Sequence, residues 1–161
     1  MIIIIEGCDG TGKTTLAHLL GKIYNLDIIH GGPFDPQDYM FYKQMLRKER
    51  AVWDRHFLSE YIYSDVLKRS PYLSKQNVSE FVEYIKVKKI VFFICDGDNE
   101  KIRKRILDRG NEPEFVTKNL DAILDAYRKF AKDFDIPIID TENITYKDIV
   151  KIGEMYNNEN I

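Results

Sequence analysis

Residues 7–14 read Gly7-Cys8-Asp9-Gly10-Thr11-Gly12-Lys13-Thr14, which matches the phosphate-loop pattern G-x-x-x-x-G-K-[ST] in full. The loop directly follows four isoleucines at residues 2–5. β-Branched residues in succession predict a strand that is buried on both faces. After the loop, apolar residues recur at helical spacing, at Leu16, Leu19, Leu20 and Ile23. Strand, loop and helix therefore occur in the order that a phosphate-binding loop requires.

This loop predicts a site for the phosphates of a nucleotide. Backbone N–H groups of such a loop converge on phosphate oxygens, and the positive end of the following helix dipole adds to their effect. Lys13 would reach the β- and γ-phosphates, and the hydroxyl of Thr14 would bind Mg²⁺. The residues expected to hold the phosphates of ATP are Gly10, Thr11, Gly12, Lys13, Thr14 and Thr15.

The rest of the chain alternates short strands with helices. Further strands are predicted over residues 26–30, 50–53, 90–95 and 136–139, and helices over residues 36–48, 57–69, 78–88, 99–109, 114–134 and 145–156. Alternation of this kind predicts an open parallel sheet covered on both faces. We therefore expect a single α/β domain over residues 1–161, with a three-layer α/β/α P-loop NTPase fold and a five-stranded parallel sheet.

Composition excludes several classes of function. A net charge of −2 gives no general reason to bind nucleic acid or an anionic membrane. The chain has no long apolar run and no charged leader, so we expect a cytoplasmic protein without a membrane segment. Its two cysteines, Cys8 and Cys95, are expected to be buried, reduced thiols.

A second constellation begins at Asp54-Arg55, directly after a predicted strand. The carboxylate of Asp54 could hold Mg²⁺ opposite the phosphate loop, and Arg55 offers a planar fork suited to a phosphate. Ser59 and Tyr63 share one face of the next helix, where they could line a pocket. The alternative is that Asp54 is a helix N-cap and Arg55 a surface residue.

A third group is Lys101, Arg105 and Arg109, spaced by four on one helical face. Basic faces of this kind are often only solvated. Together with a phosphate loop, they predict a lid over about residues 101–116 that neutralises the transferring phosphoryl group. The acid-rich C-terminal part of the chain is predicted to be solvated surface.

Aromatic residues cluster after the second predicted strand. Phe34 could stack on a nucleobase, whereas Tyr39, Phe41 and Tyr42 are better explained by core or interface packing. The three histidines lack the spacing of a metal site, and none is assigned a catalytic role.

Taken together, these motifs resemble the thymidylate kinase family, within the wider group of deoxynucleoside and deoxynucleotide kinases. The first motif of that family is similar to residues 6–15, and its second motif is similar to Asp54-Arg55-His56 followed by Ser59 and Ile62-Tyr63-Ser64. Its arginine-rich lid is similar to residues 105–114. Ser64 stands where the family has a glutamine that reads thymine, so the resemblance does not name the base.

The resemblance implies ATP-dependent phosphoryl transfer to a deoxynucleoside 5'-monophosphate, with Mg²⁺ bound to the nucleotide. Arg55 would hold the acceptor phosphate, Asp9 would position the acceptor sugar or a metal-bound water, and Arg105 or Arg109 would stabilise the transition state. The resemblance also allows a homodimer and suggests nucleotide salvage by a phage enzyme.

Two alternatives stay open at this point. A deoxynucleoside kinase phosphorylates a neutral 5'-hydroxyl and needs a general base, for which Glu6 is the candidate. A phosphate-loop regulator or ATPase would instead use hydrolysis to switch a partner. The side chains expected at the acceptor site are Glu6, Asp9, Phe34, Arg55, Ser59 and Tyr63.

Overall fold

The structure is a computed structural model, and it describes residues 1–31, 39–70, 72–110 and 113–157. The strands in this part of the chain are β1 (Ile2–Glu6), β2 (Asp27–His30), β3 (Ala51–Asp54), β4 (Val91–Asp96) and β5 (Ile138–Asp140). The helices are α1 (Lys13–Tyr24), α2 (Tyr39–Met45), α3 (Leu58–Val66), α4 (Lys75–Val87), α5 (Asn99–Arg109), α6 (Glu114–Lys118), α7 (Leu120–Phe134) and α8 (Tyr146–Asn157).

The five strands form one sheet in the order β2-β3-β1-β4-β5, and every neighbouring pair is parallel. β1 is central, so that Ile4 lies between Trp53 of β3 and Phe92 of β4. The predicted five-stranded parallel sheet is therefore confirmed. Because all strands point the same way, the segments that follow them meet at one edge of the sheet, where ligands bind in folds of this kind.

Alternate residues of β1 face two separate cores. Ile4 packs into a core formed with α3, α4, α5 and α7, whereas Ile3 and Ile5 pack into a second core formed with α1 and α8. All three isoleucines are completely buried. Burial of each such side chain stabilises the fold by about 1.5–3 kcal/mol. The two cores confirm the three-layer α/β/α arrangement that four successive isoleucines predicted.

One helix prediction was wrong. Residues 114–134 form two helices, α6 and α7, because the chain leaves helical geometry at Asn119, where φ is −109° and ψ is 14°. The Asn119 side chain donates to the carbonyl oxygen of Phe115 at 2.8 Å. A short amide that bonds the backbone in this way competes with continuation of the helix. The apolar periodicity is nearly continuous across the break, so it did not reveal the break.

The helix predicted over residues 99–109 is confirmed as α5, and the other helix boundaries differ from the prediction by a few residues. α4 begins at Lys75, three residues before its predicted start, because Ser74 and Asn77 form a reciprocal cap at its N-terminus. α2 occupies only part of the predicted helix 36–48, whose first residues lie outside the described part of the chain.

Both cysteines are free and buried, as predicted. Burial raises the pKa of Cys8 to about 11 and that of Cys95 to about 12, so both thiols stay protonated near neutral pH. None of the helices within the described ranges is long and apolar enough to cross a membrane.

Candidate nucleotide-binding site

The phosphate loop leaves the carboxyl end of β1 and enters α1 at Lys13. Gly7 has a φ of +140°, and a Cβ atom there would lie only 2.4 Å from the backbone oxygen of Cys95. Only glycine therefore lets the loop pass this close to β4. No side chain caps the N-terminus of α1, whose cap residue is Gly12. The first N–H groups of α1 thus keep the positive helix end that favours an anion.

A polar pocket of about 60 Å³ lies over this loop. Three cationic side chains line it, those of Lys13, Arg55 and Arg109, with the carboxylate of Asp9 as the opposing charge. Gly10, Gly12, Thr14 and Thr15 complete its lining. An excess of positive charge in a narrow polar pocket suits phosphate groups.

Lys13 is held against the loop. Its Nζ donates to the carbonyl oxygen of Cys8 at 2.6 Å, and the hydroxyl of Thr11 donates to the same oxygen at 2.8 Å. Burial lowers the pKa of Lys13, and the nearby charge of Arg55 lowers it further, whereas Asp9 opposes both effects. The ammonium group is therefore poorly hydrated, so a phosphate that reaches it gains a strong electrostatic interaction.

Asp9, Arg55 and Tyr63 form a linked group at the same pocket. The guanidinium of Arg55 pairs with Oδ1 of Asp9, and the hydroxyl of Tyr63 donates to Oδ2 at 2.7 Å. Burial by itself would raise the pKa of Asp9, but the charges of Arg55 and Lys13 outweigh it and lower that pKa. Asp9 is therefore ionised near neutral pH. Arg55 also has a φ of 72°, an unusual geometry for a non-glycine residue that is often found at functional sites.

Asp54 lies opposite the phosphate loop at the end of β3. Its Oδ2 accepts a hydrogen bond from the hydroxyl of Thr14 at 2.5 Å and lies 3.1 Å from Nδ1 of His30. Its Oδ1 is buried and has no hydrogen-bond partner among the described residues. The N-cap of α3 is Phe57, without a side-chain cap, so Asp54 does not have the capping role that was its alternative explanation.

The pair Thr14 and Asp54 fits a magnesium ion. Oxygen ligands from a hydroxyl and a carboxylate suit this cation, and the unpartnered Oδ1 of Asp54 is an oxygen that such an ion could satisfy. No cluster of three or more His, Cys, Asp or Glu side chains suited to a metal occurs within the described ranges. The protein would therefore supply few ligands, and nucleotide phosphates and water would supply the others, as Mg²⁺ commonly requires.

Glu6 is completely buried at the end of β1. Its Oε1 accepts from the backbone N–H groups of His56 and Leu58 at 2.8 and 2.9 Å, and its Oε2 accepts from the hydroxyl of Ser59 at 2.6 Å. The Ser59 hydroxyl in turn lies 2.9 Å from that of Tyr127. Glu6 therefore positions the start of α3, and a direct contact of Glu6 or Ser59 with an acceptor stays a prediction.

The basic face of α5 turns toward the phosphate loop. Nη1 of Arg105 donates to the carbonyl oxygen of Gly10 at 3.2 Å, and its Nη2 donates to Glu142 at 2.9 Å. Lys101 donates to the same carboxylate at 2.7 Å. Arg109, one turn beyond Arg105, lines the phosphate pocket. The structure thus distinguishes Arg105, which is bonded to Gly10 and Glu142, from Arg109, which lines the phosphate pocket, whereas from the sequence alone both are equal candidates.

The sequence analysis missed the turn between β5 and α8. The hydroxyl of Thr141 donates to the backbone oxygen of Thr11 at 2.5 Å, and the side chain of Glu142 is only 11% exposed. The prediction that this acid-rich part is solvated surface was therefore wrong for Glu142, because Lys101 and Arg105 cover it. The one available signal was its position after a predicted strand, at the edge where the sheet binds ligands.

A second cavity, of about 240 Å³, adjoins the phosphate pocket. Arg105 and Arg109 line one side of it, and Thr141 and Ile144 belong to the β5–α8 turn. The remaining lining residues come from the phosphate loop and α1: Gly10, Gly12, Thr15, Leu16 and Leu19. Its mixture of apolar and cationic side chains suits a flat ring system joined to phosphates.

Several other residues that the sequence brought forward have structural roles. Ser64 is completely buried and donates to Glu60 at 2.7 Å. His56 is buried among aromatic rings, and burial lowers its pKa to about 3, so it is neutral. Tyr42 belongs to the core, as predicted. Phe34 lies outside the described residues.

Comparison with known proteins finds relatives of this chain by sequence. No protein-family model matches the chain. It is 28% identical to the SPbeta prophage-derived uncharacterized protein YorR of Bacillus subtilis (strain 168). The alignment spans 134 residues and covers 80% of each chain. It is 24% identical to the deoxyadenosine kinase of Dictyostelium discoideum, over 95% of this chain and 76% of that one.

Solved structures with a similar fold include YorR and a deoxyadenosine kinase. The YorR protein of Bacillus subtilis in complex with phosphorylated GDP superposes with a TM-score of 0.80 at 25% identity, over 98% of both chains. A deoxyadenosine kinase from M. mycoides with dCMP and dCDP as products has a TM-score of 0.64 at 18% identity, over 98% of this chain and all of that one. Two of these relatives are deoxyadenosine kinases, and the fold of this chain is nucleoside and nucleotide kinase-like.

Proposed function

We propose that this protein is an ATP-dependent kinase of deoxynucleoside 5'-monophosphates, which converts a dNMP and ATP to a dNDP and ADP. The observation that carries the proposal is the set of three cations, Lys13, Arg55 and Arg109, around one small pocket. Donor and acceptor phosphates repel each other, so transfer between them depends on positioning and charge neutralisation. An acceptor phosphate is already a nucleophile and needs no general base.

Each cation has a distinct place in this reaction. Lys13 and the N–H groups of the phosphate loop would hold the donor phosphates, and the 240 Å³ cavity would take the donor nucleoside. Arg55 would bind the acceptor phosphate, with its guanidinium oriented by Asp9. Arg109, at the end of α5, would neutralise charge on the phosphoryl group in transfer, as expected of a lid.

Thr14 and Asp54 would hold the magnesium ion that accompanies ATP. When bound, such an ion would offset the negative charge of the donor phosphates. The role of the protein is to orient the two oxygen ligands, which the 2.5 Å hydrogen bond between their side chains already places together. His30, 3.1 Å from Asp54, restrains the carboxylate from the side of β2.

Relatives bind nucleotides and leave the base open. YorR is described with phosphorylated GDP, and the M. mycoides deoxyadenosine kinase is described with dCMP as a product and with dCDP. The thymidylate kinase assignment rests on the motifs. Because Ser64 is buried against Glu60, it does not replace the base-reading glutamine of that family. We therefore propose the acceptor class and not a particular base.

A deoxynucleoside kinase is the second candidate, favoured by the similarity to deoxyadenosine kinases. Such an enzyme needs a general base near the acceptor hydroxyl. Glu6 is poorly suited to that role, since three hydrogen bonds occupy its buried carboxylate. The carboxylate that does line the phosphate pocket is that of Asp9.

The deciding experiment measures ADP release from Mg-ATP with a panel of deoxynucleoside monophosphates, the matching deoxynucleosides, or no acceptor. We expect turnover only with monophosphates. Lys13→Met should abolish it, whereas Lys22→Met, an exposed lysine in the last turn of α1, serves as the matched control. Turnover with deoxynucleosides alone would establish the second candidate. ADP release that does not depend on an acceptor would point to an ATPase.

A further inference from the structure

The turn between β5 and α8 is linked to two consecutive carbonyl groups of the phosphate loop, those of Gly10 and Thr11. The hydroxyl of Thr141 donates to the backbone oxygen of Thr11 at 2.5 Å. Arg105, which is held by Glu142 at 2.9 Å, donates to the backbone oxygen of Gly10 at 3.2 Å. Thr141 contacts the loop directly, whereas Glu142 acts on the loop through Arg105 of α5.

Holding these two oxygens determines where the neighbouring N–H groups point. In a trans peptide the C=O and the N–H of the next residue point in opposite directions. No cis peptide bond occurs in the described part of the chain. Because the oxygens of Gly10 and Thr11 point to Arg105 and Thr141, the N–H groups of Thr11 and Gly12 point away from those side chains, which leaves them free for the phosphate pocket that Gly10 and Gly12 line.

Hydrogen bonds within the turn hold its conformation. The backbone N–H of Glu142 donates to Oδ1 of Asp140 at 2.9 Å, and the side chain of Asn143 donates to Oδ2 at 2.6 Å. The turn also packs tightly against the loop, since a Cβ atom at Gly12 would lie 2.7 Å from the hydroxyl of Thr141. Thr141 is therefore in close contact with the loop, and Glu142 is linked to it through Arg105.

We propose that Thr141 and Glu142 are positioning residues that orient the phosphate-binding N–H groups of Thr11 and Gly12 before the nucleotide arrives. A site whose donors already point at the ligand loses less conformational freedom on binding, so it binds more tightly. The inference rests on the proposed function only in that the loop binds phosphates. It does not depend on which acceptor the enzyme uses.

The test uses inorganic tripolyphosphate, which can engage the phosphate loop without a base or a sugar. Isothermal titration calorimetry compares the wild-type protein with Thr141→Val, which is nearly isosteric but lacks the hydroxyl, and with Glu142→Gln. We expect each variant to bind tripolyphosphate about 3- to 10-fold more weakly, the effect of losing one hydrogen bond in a site. Thr141→Ser keeps the hydroxyl and should bind within about twofold of the wild-type protein.

Thr145→Val is the matched control, because Thr145 is in the same turn but its hydroxyl bonds Asp148 at the start of α8. It should lower the melting temperature and leave tripolyphosphate affinity unchanged. Amide ¹H–¹⁵N spectra should show the Thr11 and Gly12 signals displaced in Thr141→Val and in place in Thr145→Val.

Wild-type affinity in both Thr141→Val and Glu142→Gln, with Thr11 and Gly12 signals unmoved, would overturn the proposal. If Thr141→Val does not fold, Glu142→Gln alone decides, since its side chain keeps its size. A chain that binds tripolyphosphate but phosphorylates no monophosphate would refute the proposed function and leave this inference standing.

Discussion

Asp54 and Asp96 end β3 and β4, the two strands that flank β1, yet the structure uses them in opposite ways. Asp54 turns Oδ2 to Thr14 and keeps a buried Oδ1 without a partner among the described residues. Both oxygens of Asp96 are bonded by Arg128, at 2.6 and 2.9 Å. The same residue at the same strand end is thus a candidate ligand in one place and part of a structural ion pair in the other.

The difference comes from what the neighbouring helix brings to each carboxylate. Arg128 of α7 reaches Asp96 and also donates to the backbone oxygen of Gly97 and to Asn99, so it ties α7 to β4 and α5. Asp54 has no arginine partner in the described chain; its contacts are a threonine and a histidine. A carboxylate paired with a guanidinium is already neutralised, whereas one beside a hydroxyl can still bind a cation.

Within this comparison, the largest effect is expected from Asp54→Asn. Removing the negative charge should lower kcat about 100-fold or more, because the amide no longer holds Mg²⁺ beside Thr14. Steady-state kinetics across a range of Mg²⁺ concentrations checks this, and extra Mg²⁺ should restore part of the loss. Wild-type kinetics in this variant would remove Asp54 from the metal site.

Arg105 and Arg109 of α5 offer a second comparison, since Arg105 is bonded to Gly10 and Glu142 while Arg109 lines the phosphate pocket. Arg109→Ala should lower kcat about 10- to 50-fold through lost charge stabilisation. Arg103→Ala is the matched control, because Arg103 lies on the same helix but pairs with Asp121 of α7. Equal losses of kcat in the two variants would argue against a specific role of Arg109.

Asp96→Asn should sharpen the contrast with Asp54. We expect the free energy of unfolding to fall by about 1–3 kcal/mol, because a charge-assisted bidentate contact is lost. The melting temperature should fall by about 3–9 °C, with kcat within about twofold of the wild-type value. Urea unfolding and steady-state kinetics measure the two quantities. A loss of kcat as large as that of Asp54→Asn would refute the division of roles.

Glu6→Gln is expected to have a much smaller effect on turnover than Asp54→Asn. The pKa of Glu6 is raised by burial, against the hydrogen bonds from Ser59 and His56. Because the folded-state pKa lies above the unfolded-state one, the folded protein binds this proton more tightly. The stability that protonation of Glu6 contributes is therefore complete below the unfolded-state pKa and is lost as the pH rises through the folded-state pKa.

The variant has no such proton, so its stability relative to the wild-type protein should improve as the pH rises through that window. Urea unfolding at a series of pH values between about 4 and about 8 tests this, and parallel profiles would contradict it. Turnover with monophosphates should fall less than about tenfold. A loss of 100-fold or more in turnover with a deoxynucleoside acceptor would instead be the signature of a general base.

Much of the site could be predicted because its signals are local. The phosphate loop is a contiguous string, and Asp54-Arg55 directly follows a short strand. Parallel strands then bring both segments to one edge of the sheet, as expected for this architecture. The break at Asn119 was missed because apolar periodicity does not reveal the local hydrogen bond from its side chain to the backbone of Phe115. The turn at Thr141 and Glu142 was missed because acidic composition carries no information about hydrogen bonds formed far along the chain.

The sequence by itself determined in what succession strands, phosphate loop and helices follow one another along the chain, and it determined the chemistry of the loop. It could do so because backbone geometry and apolar spacing act over a few residues. Only the tertiary structure decided which charged groups are already paired. Arg128 is 32 residues from Asp96, and Glu142 is 37 residues from Arg105. The sequence shows the charge of each residue, but whether that charge can act on a ligand depends on the partner that packing brings within a few ångströms.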